Sequence, residues 1–427
     1  MADFTAEVFQ NEYLAANADV VDAVVTVTSA GGASAGPRRG DAVEVIVIDT
    51  SGSMAGDRGR KIVAARNATQ AAIDTIDDGV LFAVVSGTQQ ARIVYPEAVG
   101  LVRADETTRI EAKAAVSRVQ AKGGTAIGSW LLAVAKLLED APDALAHAIL
   151  LTDGKNESES DENLQAAIDY CVGRFQCDAR GLGTDWEVDE LRRVASALLG
   201  TVDIVPDPDD LEAEFEALTR TAMGRESRVA LRMWTPKGST VEFVRQVSPT
   251  LEDLGGMAEP VNALTSDYPL GAWSGDESRD YHVRIRIPTG NVGDERLAAR
   301  VMLDIDGDEQ PPSLVRAVWT DDEGLSTRIN AEVAHYTGQA ELAEAIHEGL
   351  AARESGDDKT ATVRLGRAVQ LAHEAGNDDT VKLLQGVVDV EDPVTGTVRL
   401  KRDVETADEM ALDVRSTRTV RVRKAGS

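Results

Sequence analysis

Asp49, Ser51 and Ser53 stand at alternate positions, just past the aliphatic run Val45-Ile46-Val47-Ile48. A helix N-cap uses one Ser, Thr, Asp or Asn, not three at alternate positions. In an extended turn, residues i, i+2 and i+4 point the same way, so one carboxylate and two hydroxyls converge on a point. Such a hard, oxygen-only set suits Mg2+, Mn2+ or Ca2+ and not zinc. Three side chains do not fill an octahedral shell, and two later stretches offer the rest. Thr125 follows a Gly123-Gly124 turn and precedes a helical run; Asp153 ends the aliphatic stretch Ile149-Leu150-Leu151.

Catalytic readings of the same residues fail on spacing. A hydrolase nucleophile at Ser53 in G-x-S-x-G requires glycine at position 51, where Ser51 stands. An aspartyl nucleophile at Asp49, of the haloacid-dehalogenase type, requires a second aspartate at that same position. No Gly-rich loop ends in G-K-S/T, so no P-loop is present. The histidines are His147, His282, His335, His347 and His373; only His147 opens a strand that carries the site, and it does so at the other end. The expectation is binding rather than catalysis.

The elements that position these residues follow from the hydrophobic pattern. Strands are expected at Val43–Ile48, Val80–Val85, Arg92–Tyr95, His147–Leu151, Phe175–Leu182 and Val202–Val205. Helices are expected near Gly59–Ile76, Ile110–Gln120, Ile127–Leu138, Glu162–Val172, Val188–Leu199 and Asp209–Thr221. Unbroken Val/Ile/Leu strands are covered on both faces. Alternation with helices gives an α/β fold, a doubly wound and mostly parallel sheet, whose ligands bind at the carboxyl ends of the strands.

Asp49-Thr50-Ser51-Gly52-Ser53, then Thr125, then Thr152-Asp153-Gly154 resemble, in order and strand context, the metal-ion-dependent adhesion site of von Willebrand factor A domains. The resemblance covers about residues 43–225. It implies that Ser51, Ser53 and Thr125 bind the metal directly, and that Asp49 and Asp153 hold it directly or through water. It further implies an open position that a partner's carboxylate fills. The flanking segments are loosely similar to proteins whose A domain interrupts a β-sandwich, as in bacterial A-domain proteins and vesicle-coat proteins.

Outside that region the chain changes character. Residues 226–322 alternate apolar and polar residues between Gly, Pro and Asp, as in a β-sandwich-like unit. Residues 1–36 read as strands that pair with that unit, which leaves the A domain (41–225) as an insertion behind a Gly/Ser-rich linker. Residues 326–390 read as a helical bundle. Residues 391–427 hold few large apolar residues and end in a basic, Thr-rich run, so they read as a tail. Asp304–Pro312 faintly resembles a calcium loop but lacks its glycine at position 6 and glutamate at position 12, which leaves a charged turn.

Composition bounds the partners. Lys plus Arg number 44 and Asp plus Glu 73, for a net charge of −29, which repels nucleic acid and anionic membranes. The 4 % aromatic content gives no platform for stacked bases. The absence of eighteen consecutive apolar residues or a signal-like start, and two cysteines, Cys171 and Cys177, favour a cytoplasmic protein, and the Ala/Arg/Asp-rich composition is consistent with a high-GC prokaryote, hence a bacterial protein. The expected function is a metal-dependent interaction or scaffold protein with no enzymatic role. Thr406, Thr417 and Thr419 are candidate phosphorylation sites for a kinase and a phosphothreonine reader. The rival expectation is an accessory subunit of an AAA+ ATPase of the MoxR or chelatase kind. A metal-dependent hydrolase is the disfavoured reading.

Overall fold

The computed structural model describes residues 3–31, 41–98 and 100–421. Residues 32–40 of the expected linker and 422–427 of the basic end lie outside them. The chain forms two compact units: residues 1–34, 228–270 and 275–427 contribute to the first, and 35–227 with 271–274 to the second. No helix among the described residues is long and apolar enough to cross a membrane.

The first unit opens with β1 (Asp3–Gln10), β2 (Tyr13–Ala15) and β3 (Val20–Ala30). The second unit follows in chain order as β4 (Ala42–Asp49), α1 (Arg60–Thr75), β5 (Leu81–Gly87), β6 (Arg92–Tyr95), β7 (Val102–Arg103), α2 (Glu106–Val116), α3 (Ile127–Leu137), β8 (Leu145–Thr152), α4 (Asp161–Cys171), β9 (Gln176–Leu182), α5 (Val188–Ala197), β10 (Val202–Val205) and α6 (Leu211–Met223). Its sheet runs β10-β9-β8-β4-β5-β6, with β7 also on β5. All pairs from β10 to β5 are parallel, while β6 and β7 pair antiparallel at the β5 edge. This is the expected α/β architecture, closed by an antiparallel border. Strand β4 is central and buried from Val43 to Asp49, which explains its unbroken aliphatic run.

Helices cover both faces of this sheet. On one, Ile62, Ala65 and Ile73 of α1 and Leu211 and Phe215 of α6 pack against Ile46, Ile48, Phe82 and Val84. Helix α2 begins at Glu106, not near Ile110 as expected. Asp105 accepts from the Thr108 backbone N–H while the Thr108 hydroxyl accepts from the Asp105 N–H, so the cap sits four residues earlier than the apolar pattern suggests. On β5, a Cβ added at Gly87 would lie 2.3 Å from Cε2 of the buried Trp130 ring. Trp130 Nε1 is already fixed, donating to the Thr88 carbonyl at 2.6 Å. Gly87→Ala is therefore expected to destabilise the fold by about 1–3 kcal/mol, read as a lowered melting temperature.

The first unit continues with β11 (Arg225–Trp234), β12 (Thr240–Ser248), β13 (Glu252–Asp253), β14 (Glu259–Asn262), β15 (Thr265–Ser274), β16 (Ser278–Arg286), β17 (Glu295–Ile305), β18 (Asp308–Glu309) and β19 (Ser313–Thr320). Two sheets result, β1-β3-β16-β12-β13 and β14-β15-β11-β17-β19-β2, with β18 on β17. The amino-terminal strand β3 lies between β1 and β16 through 254-residue-distant pairs such as Thr26 with Asp280. Near the turn after β17, Arg232 is ion-paired with Asp267, Asp304 and Glu309; these acids hold a guanidinium, as befits a charged turn.

Helices α7 (Glu323–Ser326), α8 (Ala331–Glu354), α9 (Asp358–Ala375) and α10 (Asp378–Val387) come next. The expected tail is instead folded as far as Arg421. Strands β20 (Val388–Asp392) and β21 (Thr397–Leu400) form a hairpin, and α11 (Thr406–Arg415) follows. Few apolar residues are needed here: Val388, Val398 and Leu412 join the core of Leu342, Leu365, Val369 and Leu384. Beyond α11 the Leu251 N–H donates to the Thr417 carbonyl, and the Thr419 hydroxyl to the Val247 carbonyl. Arg421 donates to the buried Asp280 at 2.6 and 2.9 Å. Of the three candidate phosphorylation sites, Thr406 is exposed at the first position of α11, whereas Thr417 and Thr419 are half-buried.

Candidate metal centre

The register of the central sheet builds the site. β4 and β8 pair in parallel with Ile48 opposite Leu151, so Asp49 and Thr152 emerge side by side at the carboxyl edge. The Thr152 hydroxyl donates to Asp49 Oδ2 at 2.6 Å, and the Ser51 N–H to Asp49 Oδ1 at 2.7 Å. Ser51 Oγ lies 2.8 Å from Ser53 Oγ, and the Ser53 hydroxyl donates to Asp153 Oδ1 at 2.6 Å. Asp49 and Asp153 are fully buried.

Thr125 arrives on the loop before α3. That loop is tied to the Asp49 loop by two backbone bonds, Gly52 N–H to the Gly123 carbonyl at 2.8 Å and Lys122 N–H to the Thr50 carbonyl at 2.6 Å. Gly123 has φ +103°, and a Cβ there would meet Gln89 Oε1 at 2.4 Å, so both conformation and space call for glycine. Gln89 Oε1 instead accepts the Gly124 N–H. A Cβ built on Gly154 would lie 3.4 Å from Ser53 Oγ and 3.7 Å from Thr125 Oγ1, which places the two hydroxyls around one spot. Helix α3 has no capping side chain of its own. Asn156 and Glu159 cap it from outside, accepting the Ile127 and Gly128 N–H groups at 2.9 and 2.5 Å. Part of the acidic run Glu157–Glu162 is therefore structural, and Asp161 pairs with Arg193.

Two participants lie beyond the five expected metal-site residues. The Thr152 hydroxyl precedes the carboxylate that the spacing singles out. Lys61, at the start of α1, places Nζ 2.7 Å from Asp153 Oδ2 and 3.3 Å from Asp185 Oδ2. Burial pushes the Asp49 carboxyl up to about 6, against hydrogen bonds from Thr152 and Ser51 and with repulsion from Asp153. For Lys61, burial works to lower its pKa, but Asp153 and Asp185 hold the ammonium above its ordinary value.

The donor set fits a hard divalent cation. Octahedral ligands about 2.1 Å from Mg2+ stand about 3 Å from one another. The successive Ser51–Ser53 and Ser53–Asp153 oxygen separations, 2.8 and 2.6 Å, are only slightly shorter. Among the described residues no group of three His, Cys, Asp or Glu could hold a metal. The set has two carboxylates and is completed by hydroxyls, which suits Mg2+, Mn2+ or Ca2+ better than zinc.

A second polar cluster sits at the opposite ends of the same strands. His147 Nδ1 lies 2.9 and 3.0 Å from the Glu44 oxygens, and Nε2 lies 2.8 Å from Asp178 Oδ2. Asp178 also accepts from the Thr201 N–H and hydroxyl, and Arg225 is 3.7 Å away. A ring with a carboxylate on each nitrogen needs two N–H donors, which is the imidazolium form. Burial alone would lower the His147 pKa, yet Glu44 and Asp178 raise it overall. Burial raises Glu44, while His147, Arg225 and Arg180 hold Asp178 below its ordinary value despite burial.

A mixed α/β sheet in this strand order, with Asp-Thr-Ser-Gly-Ser at the carboxyl end of its central strand, defines a von Willebrand factor A-type domain. Comparison with known proteins agrees. The von Willebrand factor type A domain profile matches residues 44–204, and the von Willebrand factor type A C-terminal domain profile matches residues 370–416. A solved von Willebrand factor type A structure from Catenulispora acidiphila is 52% identical, covers 99% of this chain and 98% of that one, and superposes with a TM-score of 0.93. The ArnB paralog VWA2 from Sulfolobus acidocaldarius, 14% identical over 98% of this chain and 100% of its own, shares the fold with a TM-score of 0.62. An uncharacterized protein of Synechocystis is 28% identical over 222 residues, 49% of each sequence, so the chain spans about half the length of that curated relative. The chain belongs to the von Willebrand factor type A family, as a bacterial A-domain protein.

Proposed function

We propose that this chain is a non-catalytic, divalent-metal-dependent protein-interaction or scaffold protein. The observation that carries the reading is the hydrogen-bonded run from the buried Asp49 through Ser51 and the exposed Ser53 to the buried Asp153. Ser51, Ser53 and Thr125 offer neutral hydroxyls, and Asp49 and Asp153 offer carboxylates. Mg2+, or Mn2+ or Ca2+, bound among them would supply an electrophilic position for a partner's Glu or Asp. Two carboxylates balance the charge of a dipositive ion but do not fill its coordination shell, which leaves a place for an anionic ligand oxygen. The buried register bonds keep the donors in place, so little ordering entropy opposes ligand entry. Membership of the family supports a general protein-interaction or scaffold role.

The non-catalytic part of the proposal rests on the surroundings of the site. Its hydroxyls face carboxylates and one another, and His147 is spent between Glu44 and Asp178 at the other end of the strands. A cytoplasmic location fits the acidic, cysteine-poor composition. Kinase-linked signalling through Thr406 is part of the proposal, since Thr406 is exposed with Asp408 and Glu409 just after it. The AAA+ alternative differs in its partner alone.

Affinity capture on the immobilised chain, with Mg2+ or with chelator, tests the reading. The expected result is a partner retained only with Mg2+ and displaced by excess acetate. Retention of a ring ATPase only when ATP is present would favour the AAA+ alternative. Capture indifferent to chelator, or ester hydrolysis lost in Ser53→Ala, would overturn the proposal.

A further inference from the structure

Lys61 brings a fixed ammonium to the edge of the metal centre. Its Nζ is 2.7 Å from Oδ2 of the fully buried Asp153, and its side chain is only 14% exposed. Asp153 is thus shared: Oδ1 accepts from the Ser53 hydroxyl and Oδ2 from the ammonium. The stem of Lys61 runs against Gly183, where an added Cβ would lie 3.7 Å from both Cε and Nζ. Asp185, largely exposed, holds the same ammonium from the solvent side at 3.3 Å. The lysine is therefore placed by packing and by two carboxylates, not left to wander in solvent.

Its charge has consequences in both directions. A dipositive ion among Asp49 and Asp153 would leave those groups neutral overall, and Lys61 adds a positive charge that the largely exposed Asp185 only partly offsets, its carboxylate being screened by solvent. From this we infer that Lys61 is a positioning and tuning residue: it fixes which oxygen of Asp153 faces the hydroxyls, weakens the site's hold on the cation, and strengthens its hold on an incoming carboxylate. This rests on the metal-binding reading above. The partner class it selects is an acidic side chain, because a carboxylate gains from the surplus charge and a neutral amide does not. A unit charge within a few ångströms of a dipositive ion changes its affinity about tenfold even at the dielectric of water.

Calorimetry with Mg2+ on the whole chain compares wild type with Lys61→Met, Lys61→Gln and Lys61→Arg. The two neutral variants are expected to bind Mg2+ about tenfold more tightly, and Lys61→Arg about as wild type. Lys61→Gln keeps a polar tip for Asp153, so the comparison survives should Lys61→Met misfold. Acetate titrated into the Mn2+-loaded proteins, read by water-proton relaxation, is expected to bind the neutral variants several-fold more weakly. Unchanged or weaker Mg2+ binding in both neutral variants, with wild type binding, overturns the role of Lys61 alone. A folded wild type that binds no Mg2+ or Mn2+ overturns the metal centre itself.

Discussion

Asp49→Ala is expected to lose Mg2+ binding by more than about 100-fold, because removing groups that merely support metal ligands already costs 10–100-fold. The argument is geometric. Asp49 is fully buried, and both of its oxygens are spoken for, one by the Ser51 N–H and one by the Thr152 hydroxyl. The carboxylate therefore fixes the turn that carries Ser51 and Ser53 as well as offering charge. Alanine removes both contributions at once. Asp49→Asn separates them: it keeps the shape and can still meet Ser51 and Thr152, so its melting temperature should stay near that of the wild type. Its Mg2+ affinity should nonetheless fall, since one of two anionic groups is gone. Calorimetry and thermal melting on the same samples decide the matter. Wild-type Mg2+ affinity in either variant would remove Asp49 from the centre.

The other large effect lies at the opposite end of the sheet. His147→Leu leaves the Glu44 and Asp178 carboxylates buried and facing an apolar side chain. Breaking a buried ion pair by deleting one partner costs about 3–5 kcal/mol, and chemical denaturation should show a loss of that size. Mg2+ affinity should be nearly unchanged. The pH dependence has a definite sign. The folded protein raises the His147 pKa, so the stability that this histidine contributes is complete below its ordinary value of about 6.5 and is lost as pH rises through the folded value. Glu44, also raised, acts in the same sense, its contribution complete below its ordinary range. Asp178, lowered, contributes above its ordinary range and is lost only in acid. Denaturation midpoints of the wild type should therefore decline above about pH 6.5, and that slope should be absent in His147→Leu. A loss under about 1 kcal/mol, or an unchanged slope, would show the cluster to be energetically idle.

How much of this was readable beforehand depended on how local each signal was. The strand-end pattern at Asp49, Ser51 and Ser53 is local, as are the turn before Thr125 and the strand end at Asp153, and the structure gathers these stretches at one sheet edge. The alternating β and α units carry their own periodicities, so the doubly wound sheet was legible too. Lys61 was not. Its neighbours Arg58 and Arg60 make it look like one more solvated cation, and only the fold brings Asp153 beside it. The Glu44–His147–Asp178 cluster was invisible for the same reason: three strands each contribute one ordinary-looking polar residue. The folded carboxyl-terminal segment escaped because composition underrates a short stretch that adds only Val388, Val398 and Leu412 to a core already built by α8 to α10. Capping misled the reading of α2, where Asp105 and Thr108 start the helix before its apolar face begins.

The Ser53–Asp153 bond joins residues 100 positions apart, and β8 lies directly beside β4 in the sheet. During synthesis the Asp49 loop therefore leaves the ribosome long before its partner strand. The half-made chain has the hydroxyls and one carboxylate of the proposed centre but lacks Asp153, which stands just past the end of β8. On the proposed reading, binding competence would arrive only when β8 docks beside β4, and occupancy of the centre would report that these two strands have paired.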